Sequence, residues 1–282
     1  PNIWTEIGQK NHLNMIKSGF NNLLISPNGK VHRKLTRLAF QNIGHPFQPF
    51  IFGQRSVGPK VAIQHGVNLI FYGENVAEYG NNMMDNYNPI MNPQLYTCYD
   101  IDDQETHLGG MAIKDLYSKH DFERSDLIPY RSPTMEQVSE FGLEVHYMSY
   151  YRKWVPQENF YYAVKNTMFE PAETRTTGSY SKYSGLDDKL EWLHYYMMFI
   201  KYGMGRATAD AAQEIRSEKI TRDEGVKLVE LYDSEFPKQH LGDLCEYMDL
   251  SEDEFYSIID SFRTEHLWEK VNGEWLLKHH VY

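Results

Sequence analysis

The chain has 282 residues, 41% of them hydrophobic, which is enough to bury the core of one large domain or two ordinary ones. Its 39 Asp and Glu outnumber 28 Lys and Arg for a formal charge of -11, which argues against a general nucleic-acid or anionic-membrane surface. No apolar run reaches the ~18 residues of a membrane span and no signal-peptide pattern opens the chain, so a cytoplasmic protein without membrane insertion is the expectation.

Residues 22 to 26, NLLIS, read as a short strand closed by the turn Pro27-Asn28-Gly29. The following KVHRKLTRLAFQNI sets Val31, Leu35, Leu38 and Ile43 along a helix. SVGPKVAIQHG reads as a helix ending at Gly66, NLIFYG as a buried strand, and LEVHYMSYY at 143 to 151 as a further strand. Strands alternating with helices imply crossover connections and a mainly parallel sheet. The Asn, Pro, Asp and Gly-rich stretch from about 80 to 140 is expected to be irregular, either a substrate-facing insertion or a poorly ordered excursion. From about residue 186 the pattern is helical: Leu190, Leu193, Met197 and Ile200 share a face closed by Gly203, and TRDE and SEDE are capping boxes. The expected organisation is an α/β domain over residues 1–185 and a helical subdomain over 186–282.

Ligands of open parallel α/β sheets sit beyond the carboxyl ends of the strands. YGENVAE stands at such an end, where Gly73 permits close approach and Glu74, Asn75 and Glu78 offer acceptors, an amide donor and a possible metal ligand; a plain acidic helix start is the other reading. SPNGKVHRK clusters Lys30, His32, Arg33 and Lys34 at a helix start, as either a phosphate site or a solvated basic face. KYGMGRATADAAQEIR places two glycines between Lys201 and Arg206, so the joint either holds a cation against an anionic ligand or is a helix C-cap followed by an N-cap. TRTTGSYSKYSGLDDK, with Lys182, is a loop suited to phosphate or sugar, or simply a loop. Cys98 and Cys245 form no C-x-x-C pair and the 12 histidines include no H-E-x-x-H, so neither a disulfide framework nor a metal site is legible.

Taken in order, SPNGKVHRKLTRLAF, HPFQPFIFGQRS, LIFYGENVAEYGNN, TTGSYSKYSGLDDK and KYGMGRATADAAQEIRSEKITRDE resemble the N-acetyl sugar amidotransferase family of bacterial surface-polysaccharide biosynthesis, within the PP-loop ATP pyrophosphatases. The resemblance implies a Rossmann-like parallel sheet with a C-terminal helical subdomain, and conversion of the N-acetyl group of a nucleotide-activated sugar into an acetamidino group. ATP, Mg2+ and ammonia from a glutaminase subunit would serve that reaction. On this resemblance Glu74 and Asn75 are catalytic, Gly73, Lys182, Lys201 and Arg206 meet ATP or its phosphates, and Lys30, His32, Arg33, Gln48 and Glu78 meet the sugar substrate. The family's S-G-G-x-D-S loop is absent from these residues, which are therefore expected to be the larger, C-terminal part of a longer protein. A noncatalytic nucleotide-sugar binding or glutaminase-docking subunit is the alternative.

Overall fold

The computed structural model describes residues 2–73 and 87–281. The chain forms two compact units, one of Pro1–Leu23, Gly44–Pro46 and Val155–Tyr282, the other of Leu24–Ile43 and Phe47–Trp154. Helix α1 (Glu6–Lys17) thus belongs with the C-terminal residues, and the division falls at Trp154 and Val155 where the sequence placed it near 185.

In the second unit α2 (Gly29–Ile43) starts where Asn28 Oδ1 accepts the Lys30 N–H at 3.0 Å, and it buries Val31, Leu35 and Leu38. Helix α3 (Gln48–His65) ends at Gly66, whose φ of 68° is the left-handed cap expected there. It leads into β1 (Leu69–Tyr72). After residue 87 come α4 (Gln94–Thr97), the small hairpin β2 (His107–Leu108) and β3 (Met111–Ala112), α5 (Ile113–His120), α6 (Arg124–Leu127) and α7 (Met135–Phe141). Strand β4 (Glu144–Tyr147) and α8 (Met148–Tyr151) close the unit, so the apolar run 143–151 is half strand and half helix. Strands β1 and β4 pair in parallel, from Leu69 opposite Glu144 to Tyr72 opposite Tyr147. Residues 89 to 91 run along the other edge of β4, with the Met91 N–H on the Val145 carbonyl at 2.7 Å and the Tyr147 N–H on the Pro89 carbonyl at 2.9 Å.

Two expectations are corrected here. Residues 22 to 26 form no strand: they have no ladder partner among the described residues, and Leu23 and Leu24 are 65% and 62% exposed. The described part of the supposedly irregular stretch is packed into the core: Tyr96, Ile101, Leu108, Ile113, Leu116, Leu127 and Tyr130 are each at most 2% exposed, most of them clustered with Val31, Leu35 and Leu38 of α2, and Tyr96 with Ala62 and Val145. Short helices supply one or two apolar anchors apiece, so no long periodicity betrays them, yet each fully buried large apolar side chain contributes about 1.5–3 kcal/mol.

In the first unit α1 packs on α9 (Pro156–Thr167). The Asp188 carboxylate accepts the Ile3 N–H at 3.1 Å and, as N-cap of α10 (Lys189–Tyr202), the Leu190 N–H at 3.0 Å. This bond set is why the N-terminal helix joins the C-terminal unit. Helices α11 (Arg206–Arg216), α12 (Arg222–Tyr232), α13 (Leu241–Met248) and α14 (Glu252–Ser261) follow, and both predicted capping boxes form, at Thr221 with Glu224 and at Ser251 with Glu254. The unit ends in an antiparallel hairpin of β5 (Trp268–Val271) and β6 (Glu274–Leu277), fastened by the Trp268 indole N–H on the Ile200 carbonyl at 2.7 Å. The described residues are therefore mixed α/β and mostly helical, with strands only in pairs.

Candidate functional site

Helix α10 stops at Gly203, whose φ of 72° satisfies its last carbonyls, and α11 begins three residues later. The exposed N–H groups of α11 are met by Asp233, the C-cap of α12. Its carboxylate accepts the Gly205 N–H at 2.8 Å, the Thr208 N–H at 2.9 Å and the Thr208 hydroxyl at 2.7 Å. Gly205 is required by this closeness, because a Cβ there would lie 2.8 Å from the Asp233 carbonyl oxygen. Burial raises the Asp233 carboxyl pKa against the pull of these donors. The helix start that the glycine joint offers to an anion is thus filled by the protein's own carboxylate.

Arg206 is 9% exposed. Its Nε donates to Asp210 Oδ1 at 3.0 Å, its Nη1 to Glu191 Oε1 at 3.2 Å, and its guanidinium lies 4.3 Å from the Tyr195 ring centre. Asp210 also accepts the Ser179 hydroxyl at 2.5 Å, which draws the loop of residues 174–185 onto α11. A second clamp holds the same loop: Arg175 forks onto Glu235 at 2.6 and 2.5 Å, and the Gly178 N–H meets Glu235 Oε2 at 3.0 Å.

Tyr180 and Tyr183 come from this loop to the side of α11 that carries Asp210 and Glu214, one turn apart. Burial, then the Glu214 and Asp210 charges, push the Tyr183 phenol up to about 12 and shift Tyr180 in the same direction. Burial likewise raises the Glu214 carboxyl. Tyr183 is stacked on Phe160 at 4.6 Å. Phenols, carboxylates and a flat aromatic face are the groups that recognise hydroxyls and amides of a sugar.

Other residues singled out in the sequence are dispersed. Lys182 donates to the Glu173 carbonyl at 2.9 Å, and Lys201 lies 5.4 Å from the Tyr202 ring and 5.9 Å from that of Phe262. Lys30 and Arg33 are exposed on α2, whereas His32 turns inward, 7% exposed, with Nδ1 2.6 Å from the Tyr130 hydroxyl. Burial pushes His32 down to about 4, so it is a neutral core imidazole and not part of an exposed basic cluster. Gln48 Oε1 accepts the Gly109 N–H at 2.7 Å and so holds the β2–β3 turn. Gly73 follows β1 beside Trp154, while Glu74, Asn75 and Glu78 lie outside the described residues. Among the described residues no group of three or more His, Cys, Asp or Glu is placed to hold a metal ion, and no helix is long and apolar enough to cross a membrane.

Residues 177–281 match the model of a family described as LPS biosynthesis protein WbpG-like, C-terminal domain. This part of the chain is similar to WbpG-like proteins. The WbpG-like segment contains Tyr180, Tyr183, Glu191, Arg206, Asp210, Glu214 and Asp233, while Phe160 and Arg175 precede it. No curated protein matches the chain. Outside the WbpG-like segment, at the carboxyl end of β4, a cavity of about 310 Å³ is lined by Asn88, Ile90, Met91, Asn92, Leu95 and Tyr147 among others. Sequence reasoning named Arg206 but missed Glu191, Asp210, Glu214 and Asp233; only the spacing of Arg206, Asp210 and Glu214 by four residues was available to signal a shared helix face.

Proposed function

We propose that the protein acts in LPS biosynthesis as an ATP-dependent amidotransferase, converting the N-acetyl group of a nucleotide-activated sugar into an acetamidino group with ammonia from a glutaminase partner. The observation that carries this reading is the similarity of residues 177–281 to WbpG-like proteins, in a segment whose buried polar arrangement suits a sugar. The finer parts, a PP-loop type of sheet built out from the β1–β4 pair and an adenylating mechanism, rest on the five sequence motifs.

An amide carbon is a poor electrophile, so the acetamido oxygen attacks the α-phosphate of ATP and pyrophosphate leaves. Ammonia then adds to the activated carbon and AMP departs. In this reading Tyr180, Tyr183 and Glu214 receive the sugar, Ser179 and Asp210 keep the loop on α11, and Arg206 fixes the two carboxylates beside it. The described residues offer no carboxylate cluster that fits magnesium, and no step is assigned to the ion.

The test is mass spectrometry of a nucleotide-activated N-acetyl sugar incubated with the full-length protein, ATP and a high concentration of ammonium. Replacement of one oxygen by NH with release of AMP and pyrophosphate supports the reading. Binding of the nucleotide sugar without ATP turnover favours a binding subunit instead.

A further inference from the structure

A helix on the surface of a folded unit ordinarily turns its apolar side chains to the core and its polar ones to water. In the first unit α1 does the reverse, because the bonds that hold it are polar. Asn14 Nδ2 donates to the Met168 carbonyl at 2.7 Å, and Lys10 pairs with the Glu170 carboxylate at 2.6 Å. Asn11 Nδ2 donates to the Glu170 carbonyl and its Oδ1 accepts the Glu170 N–H, both at 2.8 Å. Leu13 and Ile16 are left in the open. Helix α9, packed beside α1, is no better anchored: it has no buried residue, and α1 buries only Gly8 and Asn14.

The open side of this helix pair is apolar. Leu13 and Ile16 of α1, Tyr161, Tyr162 and Val164 of α9, and Met168 just beyond it are 39–60% exposed. Half-open side chains of this size leave on the order of 100 Å² each, so the six expose about 600 Å², the upper end of the largest patch on an ordinary monomer. With a polar rim of the usual proportion, this is roughly the 800 Å² that each partner of a stable complex buries. Tyrosine and methionine are side chains that such contacts favour. The charges point to the partner. Residues 6–17 and 156–170 carry three acidic side chains, Glu6, Glu158 and Glu170, and three basic ones, Lys10, Lys17 and Lys165, in a chain whose formal charge is -11. Two copies therefore repel one another over most of their surface but not here, and a two-fold contact can set lysines of one copy against glutamates of the other.

We propose that the open side of α1 and α9 is the contact through which two copies of this chain form a two-fold symmetric dimer. The apolar side chains of one copy close over those of the other. Their burial supplies the anchoring that neither helix finds in its own unit, and helices of 12 residues are marginal without such packing. The contact also reaches the candidate site, because Phe160 of α9 stacks on Tyr183 at 4.6 Å. A second copy that steadies α9 thereby steadies the aromatic face behind Tyr183.

Sedimentation velocity of the full-length protein at micromolar concentration tests the dimer. Wild type is expected at twice its chain mass. Leu13→Glu and Val164→Glu should each weaken association at least about 30-fold, since a two-fold contact meets each new charge twice. Both positions are exposed, so helix content by circular dichroism should be unchanged, and Leu231→Glu, at an exposed position on α12, should leave the dimer intact. Lysine cross-linking of an equal mixture of unlabelled and heavy-isotope protein then locates the contact, and mixed-isotope links from Lys17 or Lys165 support the proposal. A monomeric wild type, a dimer that Leu13→Glu and Val164→Glu leave at wild-type strength, or mixed-isotope links confined to other lysines overturns it. A monomer whose Lys17 and Lys165 link only to the second unit of the same chain, or only to an added glutaminase, assigns the face to that partner and likewise overturns the dimer.

Discussion

Replacing Arg206 with alanine leaves Glu191 and Asp210 facing one another without the guanidinium that joins them. The three side chains are only 10%, 19% and 13% exposed, so water replaces little of what is lost. Removing one partner of a buried ion pair costs about 3–5 kcal/mol, and the contact over Tyr195 is worth about 0.5–2 kcal/mol more. At about 2–4 °C per kcal/mol for a domain of this size, a loss of about 3–5 kcal/mol lowers the melting temperature of this unit by about 6–20 °C. Arg206→Lys keeps the charge but cannot fork between two carboxylates, and should fall between wild type and Arg206→Ala. Differential scanning calorimetry at neutral pH compares the three proteins. An Arg206→Ala transition within about 2 °C of wild type, together with lost nucleotide-sugar binding, would refute the structural argument and return Arg206 to the ligand, since 2 °C corresponds to only about 0.5–1 kcal/mol.

His32 carries a pH dependence whose sign follows from its burial. Its folded pKa of about 4 lies below the ordinary 6.5, so the unfolded chain binds the extra proton and stability present above 6.5 is lost as pH falls toward 4. The full loss is at most about 3–4 kcal/mol, and urea titrations at several pH values should show it shrink in His32→Gln. Gly205→Ala drives a Cβ against the Asp233 carbonyl oxygen and should cost about 1–3 kcal/mol in thermal melts. Glu74→Gln, if Glu74 serves the reacting centre, should lower kcat about 10²- to 10³-fold in the amidine assay with an unchanged melting temperature; near-normal turnover removes that assignment.

What the sequence revealed was local. Gly66 and Gly203 mark helix ends because a left-handed cap needs no partner elsewhere, and TRDE and SEDE close on themselves within four residues. The run NLLIS misled because an apolar run becomes a strand only beside another strand. The hairpin β5–β6 went unread although Asn272-Gly273, with φ of 52° and 91°, is the strongest short hairpin signal in the chain. At the glycine joint the residue types allowed both a ligand cation and paired caps. Glu191 and Asp233, which decide Arg206's surroundings and the α11 start, reach them through tertiary packing that no spacing rule encodes.

The cap that Asp233 places on α11 also dictates how this part of the molecule breathes. The first turn of a helix is ordinarily the first to fray, and its amides exchange with solvent almost freely. Here the Gly205 and Thr208 amides are tied to a carboxylate 28 and 25 residues further on, so neither is released until the last turn of α12 lets go. Their deuterium uptake should therefore be slow and matched to that of the C-terminal amides of α12, making α11 and α12 a single cooperative opening unit whose most protected point is a helix beginning.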